Sequence, residues 1–297
     1  MTTVREQAFA KVNLSLLLGG SRADGRHKLV TMIESVDLAD ELIVTPSEDG
    51  RDEVICPGVT GPNLVGDAIA ALRAAGWAAP PLHVEIDKRI PVAAGMGGGS
   101  ADAAALLRMA AELAPVEPRV VAAIAAGLGS DVPSQLDPGP SLGIGAGELV
   151  RLVPDLDTHA LVVVPQPFAL STADVYREAD RLALSRGDDE LAGLPFELES
   201  FLAVSGSILP PELAVNDLER ASVSLRPEIA AAIQAVAETG ATYVLVCGSG
   251  PTVIGVFWGA ASPANADAAC DRLRERFPLV VAARPLQRGV DESTANP

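Results

Sequence analysis

Apolar and polar positions along the chain change period several times. The first 45 residues hold four short runs of strand character: VREQAF (4–9), NLSLLL (13–18), LVTMIES (29–35) and ELIVT (41–45). Their spacing predicts strands with turns at Gly19-Gly20 and Asp24-Gly25. The period then lengthens. NLVGDAIAALRAAG (63–76) predicts a helix closing on Gly76, and LHVEI (82–86) a strand. Two helices are expected over Ser100–Leu113 and Pro118–Gly127, then strands at LVRLV (149–153) and HALVVV (159–164). STADVYREADRLAL (171–184) has helical spacing behind Ser171 or Thr172 as N-cap. RPEIAAAIQAVAETG (226–240) is a helix pattern, and ATYVLVCGSGPTVIGVFW (241–258) reads as two strands around a glycine turn. NADAACDRLRERF (265–277) predicts a helix and LVVAARP (279–285) a last strand.

Strands and helices mix without a regular βαβ repeat, which predicts an α+β fold. The Pro- and Asp-containing segment 153–159 is the expected seam between a domain at 1–155 and a second at 156–297. The tail from Arg288 is expected to be disordered.

Between the 82–86 strand and the helix after it lies PVAAGMGGGSADAAALL (91–107). A Walker A loop needs lysine before the serine, and Gly99 stands before Ser100. A dinucleotide fingerprint read from Gly95 ends on Ser100 instead of glycine. The physics is nevertheless that of an anion cradle. A glycine-rich turn feeding a helix N-terminus offers free backbone N–H groups and the positive end of the dipole. Polyphosphate is the natural guest, and Ser100 adds a hydroxyl for phosphate or Mg²⁺. A tight packing turn is the alternative reading.

Composition narrows the setting. The 297 residues carry a net charge of −17, which speaks against nucleic acid as partner. No long apolar run suggests a membrane span, and the start MTTVREQAF lacks a signal-peptide layout. Cys56, Cys247 and Cys270 are too few and scattered for a disulfide framework or zinc site. A cytoplasmic protein, monomeric or weakly dimeric, is expected. Only three lysines occur, Lys11, Lys28 and Lys88, while arginine carries the other positive charge.

Three further stretches carry chemistry. In AKVNLSL, Lys11 and Asn13 share one strand face at period two; an edge-strand lysine that discourages aggregation is the alternative. In GLGSDVP, Pro133 biases Val132 to extended geometry and so fixes a turn at Asp131, unless Asp131 is merely a cap. In RADGRHKL, Arg22, Arg26, His27 and Lys28 gather on a turn, a place for an anion in an acidic protein. Gly248, Ser249 and Gly250 form a second glycine turn.

In this order, AKVNLSL, PVAAGMGGGSADAAA and CGSGPT resemble the GHMP kinase superfamily. Within it, GLGSDVP, DKRIPVAAG, PNLV and LGIGAGE are most similar to the 4-diphosphocytidyl-2-C-methyl-D-erythritol kinase family. The resemblance implies a two-domain α+β fold, ribosomal-protein-S5-like then ferredoxin-like, with ATP and a small-molecule substrate in the cleft between. It implies transfer of the ATP γ-phosphoryl to the 2-hydroxyl of the methylerythritol unit. It assigns Lys11 and Asp131 as the catalytic pair. It places Pro91, Val92, Ala93, Ala94, Gly95, Met96, Gly97, Gly98, Gly99, Ser100 and Ala101 as the ATP-phosphate loop, with Asp102, Asn63 and Lys88 on the ATP side. Asn13, Arg26, His27, Thr172, Tyr176, Gly248, Ser249 and Gly250 fall on the substrate side, Tyr176 stacking on cytosine. ATP and Mg²⁺ are the implied cofactors. One departure stands out: the family's Asp-Gly-Tyr-His-Glu-Leu is DGRHKL here, so Arg26 replaces a base-stacking tyrosine. That keeps two alternatives open, a GHMP kinase with another alcohol substrate and a nucleotide-binding protein without kinase activity.

Overall fold

The early strand-like runs merge into two long strands, β1 (Val4–Ser21) and β2 (His27–Pro46), paired antiparallel. The computed structural model describes residues 3–59, 61–203 and 208–288. Register shifts at Phe9/Lys11, Asn13/Ser15 and Leu18/Ser21 bend β1 without ending it. Each shift also resets which face the next residue takes, so one strand reads in sequence as separate runs. Gly19-Gly20 lies inside β1 and makes no turn. A Cβ on Gly19 would stand 2.3 Å from Leu191 Cδ2, so glycine there admits the helix α5 (Asp188–Leu202) against the strand. The Asp24-Gly25 turn forms as expected, with Gly25 at φ +80°.

β2 organises the first sheet. It pairs with β4 (Leu82–Asp87) through residues 41–46 and with β5 (Ser141–Gly145) through residues 29–33. β3 (Glu53–Ile55) and β6 (Leu149–Leu152) complete the order β3-β4-β2-β5-β6, with β1 on β2. The helices α1 (Leu64–Ala74), α2 (Gly98–Leu113) and α3 (Pro118–Leu128) belong to this half. α2 packs on β1 through a buried alanine face including Ala101, Ala104 and Ala105, whose short side chains allow close approach.

The second sheet has the order β10-β7-β9-β8, formed by β7 (His159–Val164), β8 (Tyr243–Val246), β9 (Val253–Trp258) and β10 (Val281–Ala283). All its pairings are antiparallel. α4 (Thr172–Arg181), α5, α6 (Glu219–Leu225) and α7 (Glu228–Ala237) lie between β7 and β8, and α8 (Ser262–Leu273) precedes β10. This β-α-β-β-α-β order is the ferredoxin-like arrangement. Among the described residues no helix is long and apolar enough to cross a membrane.

Four elements go beyond the sequence expectations: β3, β5, α5 and α6. α5 does carry helical spacing at Leu191, Leu194, Leu198 and Leu202, but Pro195 interrupts the pattern. Two local expectations are corrected. α2 begins at Gly98, two residues before Ser100. Val132 is not extended; at φ −64°, ψ −43° it is helical, because the Val132 N–H closes a turn on Gly129 O ahead of the 3₁₀ turn Pro133–Gln135. Of the expected disordered tail only Arg288 lies within the described residues. It is anchored, donating from Nη2 to Asp137 O at 2.7 Å and from Nη1 to Pro140 O.

The two halves are pinned by polar contacts. The backbone of β1 takes Leu16 N–H to Val215 O and Asp217 N–H to Leu16 O, covering the strand edge that β2 leaves open. Elsewhere, His159 on β7 places Nε2 2.8 Å from Glu34 Oε2 on β2, both buried. His159 Nδ1 lies 2.7 Å from Asp157 O, and its ring packs on Trp258 with centroids 4.4 Å apart. Burial alone would lower the pKa of this imidazole, but the Glu34 carboxylate and the hydrogen bonds raise it above its ordinary value.

Candidate active site

A cleft of about 1050 Å³ lies between the halves, and both line it. At its centre the three glycine- and lysine-bearing stretches converge on Lys11. The alternation of β1 turns Lys11 and Asn13 the same way, and Lys11 Nζ donates to Asn13 Oδ1 at 2.7 Å. Asn13 Nδ2 in turn donates to Thr31 Oγ1 at 2.8 Å, and Thr31 to Ser15 O at 2.6 Å. Asn13 is thus held with its oxygen toward the ammonium. Lys11 is 4 % exposed, which sets aside the edge-strand reading. Asp131 Oδ2 lies 3.5 Å from Nζ. Burial pulls the lysine pKa down, but Asp131 together with Cys247 more than offsets it, so the pKa stands above its ordinary value and the ammonium stays charged.

The glycines make this convergence sterically possible. A Cβ on Gly97, at φ +68°, would stand 3.0 Å from Lys11 Cγ. One on Gly248, at φ +56°, would stand 3.4 Å from Lys11 Nζ and 3.2 Å from Asn13 Oδ1. Lys11 therefore runs between two glycines from opposite halves. Gly95 meets the second turn directly: its Cβ would lie 2.7 Å from Cys247 O and 2.8 Å from Gly250 O. The loop is tied to β1 by Lys11 N–H donating to Met96 O at 3.0 Å. Asn216 braces the other side, donating from Nδ2 to both Val246 O and Gly248 O at 2.7 Å.

α2 points its N-terminus into the cleft. Its first residues, Gly98, Gly99 and Ser100, line it, and no acidic residue occupies the first turn. The first helical N–H groups have no intrahelical partners and are free for an anion. Beside them Lys88 is held between Asp40 and Asp102, with Nζ 2.7 Å from Asp102 Oδ2. Burial pushes the Asp102 carboxyl up to about 7 against the pull of Lys88, and its Oδ1 has no partner among the described residues. Asn63 caps α1, accepting from Val65 N–H at 2.8 Å.

At the opposite end α4 presents Thr172, Tyr176, Arg177 and Asp180. Tyr176 packs on the His27 ring at 4.9 Å between centroids. Burial and the Asp131 carboxylate push its phenol up to about 12. Thr172 Oγ1 lies 3.0 Å from Ser249 Oγ.

Of the residues singled out in the sequence, Lys11, Asn13, Arg26, His27, Asn63, Lys88, Pro91 to Ser100, Asp102, Asp131, Thr172, Tyr176, Gly248 and Ser249 line this cleft. Ala101 does not; it is fully buried in the α2–β1 packing. Gly250 does not either; its N–H closes the turn on Cys247 O at 2.8 Å. The basic turn disperses. Arg22 pairs with Glu148 at 2.5 Å, Lys28 with Asp188 at 2.8 Å, and Arg26 with Asp24 at 3.2 Å, leaving Arg26 on the cleft rim. Thr31, Ser130, Arg177 and Asp180 also line the cleft and escaped the sequence reading. Asp180 stood one helical turn after Tyr176, a spacing that would have flagged it.

Comparison with known proteins places the chain in a family. Residues 63–139 match the GHMP kinases N terminal domain, and residues 202–279 match GHMP kinases C terminal. The chain is 36 % identical over 287 residues to 4-diphosphocytidyl-2-C-methyl-D-erythritol kinase of Moorella thermoacetica, covering 94 % of this chain and 98 % of that one. It is 38 % identical over 288 residues to the enzyme of that name from a Nocardioides species, covering 93 % and 95 %. A crystal structure of 4-(cytidine 5'-diphospho)-2C-methyl-D-erythritol kinase superposes with a TM-score of 0.76 at 32 % identity, covering 95 % and 99 %. With its two-sheet fold and converging glycine loops, the chain belongs to the GHMP kinases, and within them it is similar to the 4-diphosphocytidyl-2-C-methyl-D-erythritol kinases over most of its length.

Proposed function

We propose that the protein transfers the γ-phosphoryl group of ATP to the 2-hydroxyl of 4-diphosphocytidyl-2-C-methyl-D-erythritol. The observation that carries this reading is the meeting of Lys11, Asp131 and the N-terminus of α2 in one cleft walled by both halves. Phosphoryl transfer asks a protein mainly for positioning and charge neutralisation. The free N–H groups at Gly98 to Ser100 hold the diphosphate that leaves. Lys11 has donor capacity beyond its bond to Asn13 and faces the moving phosphoryl charge. Asp131, 35 % exposed, reaches the acceptor hydroxyl from the open cleft and takes its proton as the new P–O bond forms. Tyr176 and His27 offer the stacked surface for the base.

Mg²⁺ fits the donor set. Among the described residues no three His, Cys, Asp or Glu side chains gather to cage a metal. An ion carried on ATP phosphates needs only one or two protein oxygens, and the Ser100 hydroxyl and Asp131 carboxylate line the same cleft. When bound it would neutralise charge on the phosphates.

The test is an ADP-release assay with the cytidyl substrate. Asp131→Asn should lower turnover by about 10²–10⁴-fold with ATP binding nearly unchanged. Turnover surviving within a few-fold sinks the catalytic assignment. Arg26 favours a second reading, in which the acceptor is another alcohol: its side chain is 51 % exposed and its guanidinium is tied to Asp24 at the rim. Thermal shifts with CDP and CMP against UMP and mevalonate separate the two, and equal shifts remove the cytidine reading.

A further inference from the structure

We propose that Asp180 is a positioning residue for base recognition, holding His27 in the tautomer that presents a bare Nδ1 to the substrate. His27 is buried at the head of β2, with its ring against Tyr176, and it lines the cleft. Its Nε2 lies 2.7 Å from Asp180 Oδ1 and 3.2 Å from Ser21 Oγ. As a carboxylate Asp180 can only accept, so a contact this short places the proton on Nε2. Ser21 accepts or donates at will and does not oppose this. Among the described residues no hydrogen bond reaches His27 Nδ1. In the neutral ring that atom is a lone pair, an acceptor for an amino group.

The consequence is selectivity. Cytosine carries an exocyclic amino group where uracil carries a carbonyl oxygen. A bare Nδ1 accepts from the first and repels the second. Asp180 reaches His27 from α4, the helix that also supplies Tyr176 one turn earlier. The stacking surface and the tautomer lock thus arrive on one rigid element. This step rests on the cytidyl reading only in naming cytosine; the tautomer itself is a property of the ligand-free protein.

The experiment has two arms. In the first, ¹⁵N-histidine-labelled protein without ligand is examined by NMR at about pH 8, with the His27 signals assigned by their loss in His27→Gln. The expected result is a protonated Nε2 and bare Nδ1 in the wild type. In Asp180→Asn the side-chain amide can donate to Nε2, and the proton moves wholly or partly to Nδ1. In the second arm, CDP and UDP binding are measured by calorimetry. The wild type should prefer CDP, and Asp180→Asn should reduce that preference by about tenfold. Asp180 is 48 % exposed, so the variant is expected to fold, and its melting temperature checks this. A protonated Nδ1 in the wild type overturns the proposal. So does an Asp180→Asn variant with unchanged tautomer and unchanged CDP-to-UDP ratio. A wild type with protonated Nε2 but no preference for CDP supports the tautomer lock and overturns the cytidyl reading instead.

Discussion

Both ring nitrogens of His159 face acceptors, Asp157 O and the Glu34 carboxylate. The ring therefore carries both protons, and a buried ion pair joins the two sheets. At 2.8 Å and an effective dielectric of about 20, the gross attraction is about 6 kcal/mol. Removing two ions from water costs several kcal/mol each, so the net value of the pair is small, but an orphaned partner is expensive. The substitutions should therefore be unequal. His159→Leu strands the Glu34 carboxylate and should cost about 3–5 kcal/mol, roughly 6–20 °C in melting temperature. Glu34→Gln leaves a neutral pair in which the amide donates to Nε2, and should cost about 1 kcal/mol. Replacing both with leucine should recover most of the His159→Leu loss. The pH dependence has a definite sign. A raised histidine pKa gives stability that is full below the unfolded value, about 6.5, and is lost as pH rises through the higher folded value. Glu34→Gln needs only a neutral ring and lacks that decline. The assay is urea unfolding from about pH 6 to pH 9. Equal losses from the two single changes, an additive double, or parallel pH curves for wild type and Glu34→Gln refute the reasoning.

Three other outcomes follow from the site. Gly97→Ala places a methyl 3.0 Å from Lys11 Cγ at a left-handed φ; turnover should fall at least tenfold, while stability drops by about 1–2 kcal/mol, read by steady-state kinetics beside thermal unfolding. Gly95→Ala drives its methyl into two carbonyl oxygens across the seam between halves; it should destabilise by about 1–3 kcal/mol and lower the affinity for ATP, measured by calorimetry. Lys28→Ala removes an exposed pair with Asp188 and should change stability by less than about 0.5 kcal/mol and leave ADP release unaltered; a clear loss of activity would restore Lys28 as an anion contact.

The parts of the site legible in the sequence were those whose chemistry is local. Glycine before a helix, lysine in an apolar strand and an aromatic one turn into a helix each announce themselves within a few residues. Asp40 and Asn216 did not. Asp40 matters because β2 brings it 48 positions forward to Lys88, and Asn216 because it sits in a loop that reaches under the second glycine turn. The fold shows the same division. β7, β8 and β9 were visible as apolar runs, but β1 was broken by its own bulges, because pattern reading assumes an unbroken alternation. The glycine loop reads in the sequence as ligand approach or as a tight packing turn, and a local pattern does not choose between them. Gly95, Gly97 and Gly248 are also where the protein approaches itself, through contacts between segments far apart in the chain that no local pattern encodes.

A free lysine side chain has about 2 kcal/mol of rotamer freedom to lose. Walled by Gly97 and Gly248 and bonded to Asn13, Lys11 surrenders that freedom when the chain folds. The ammonium then meets each incoming nucleotide already in place, and the disorder is removed once per molecule instead of once per catalytic cycle. Because one wall belongs to each half, a lysine so fixed also reports on closure. In the proposed mechanism, any motion that parts the halves loosens the charge assigned to the transfer, which couples the integrity of the seam to the chemistry in the cleft.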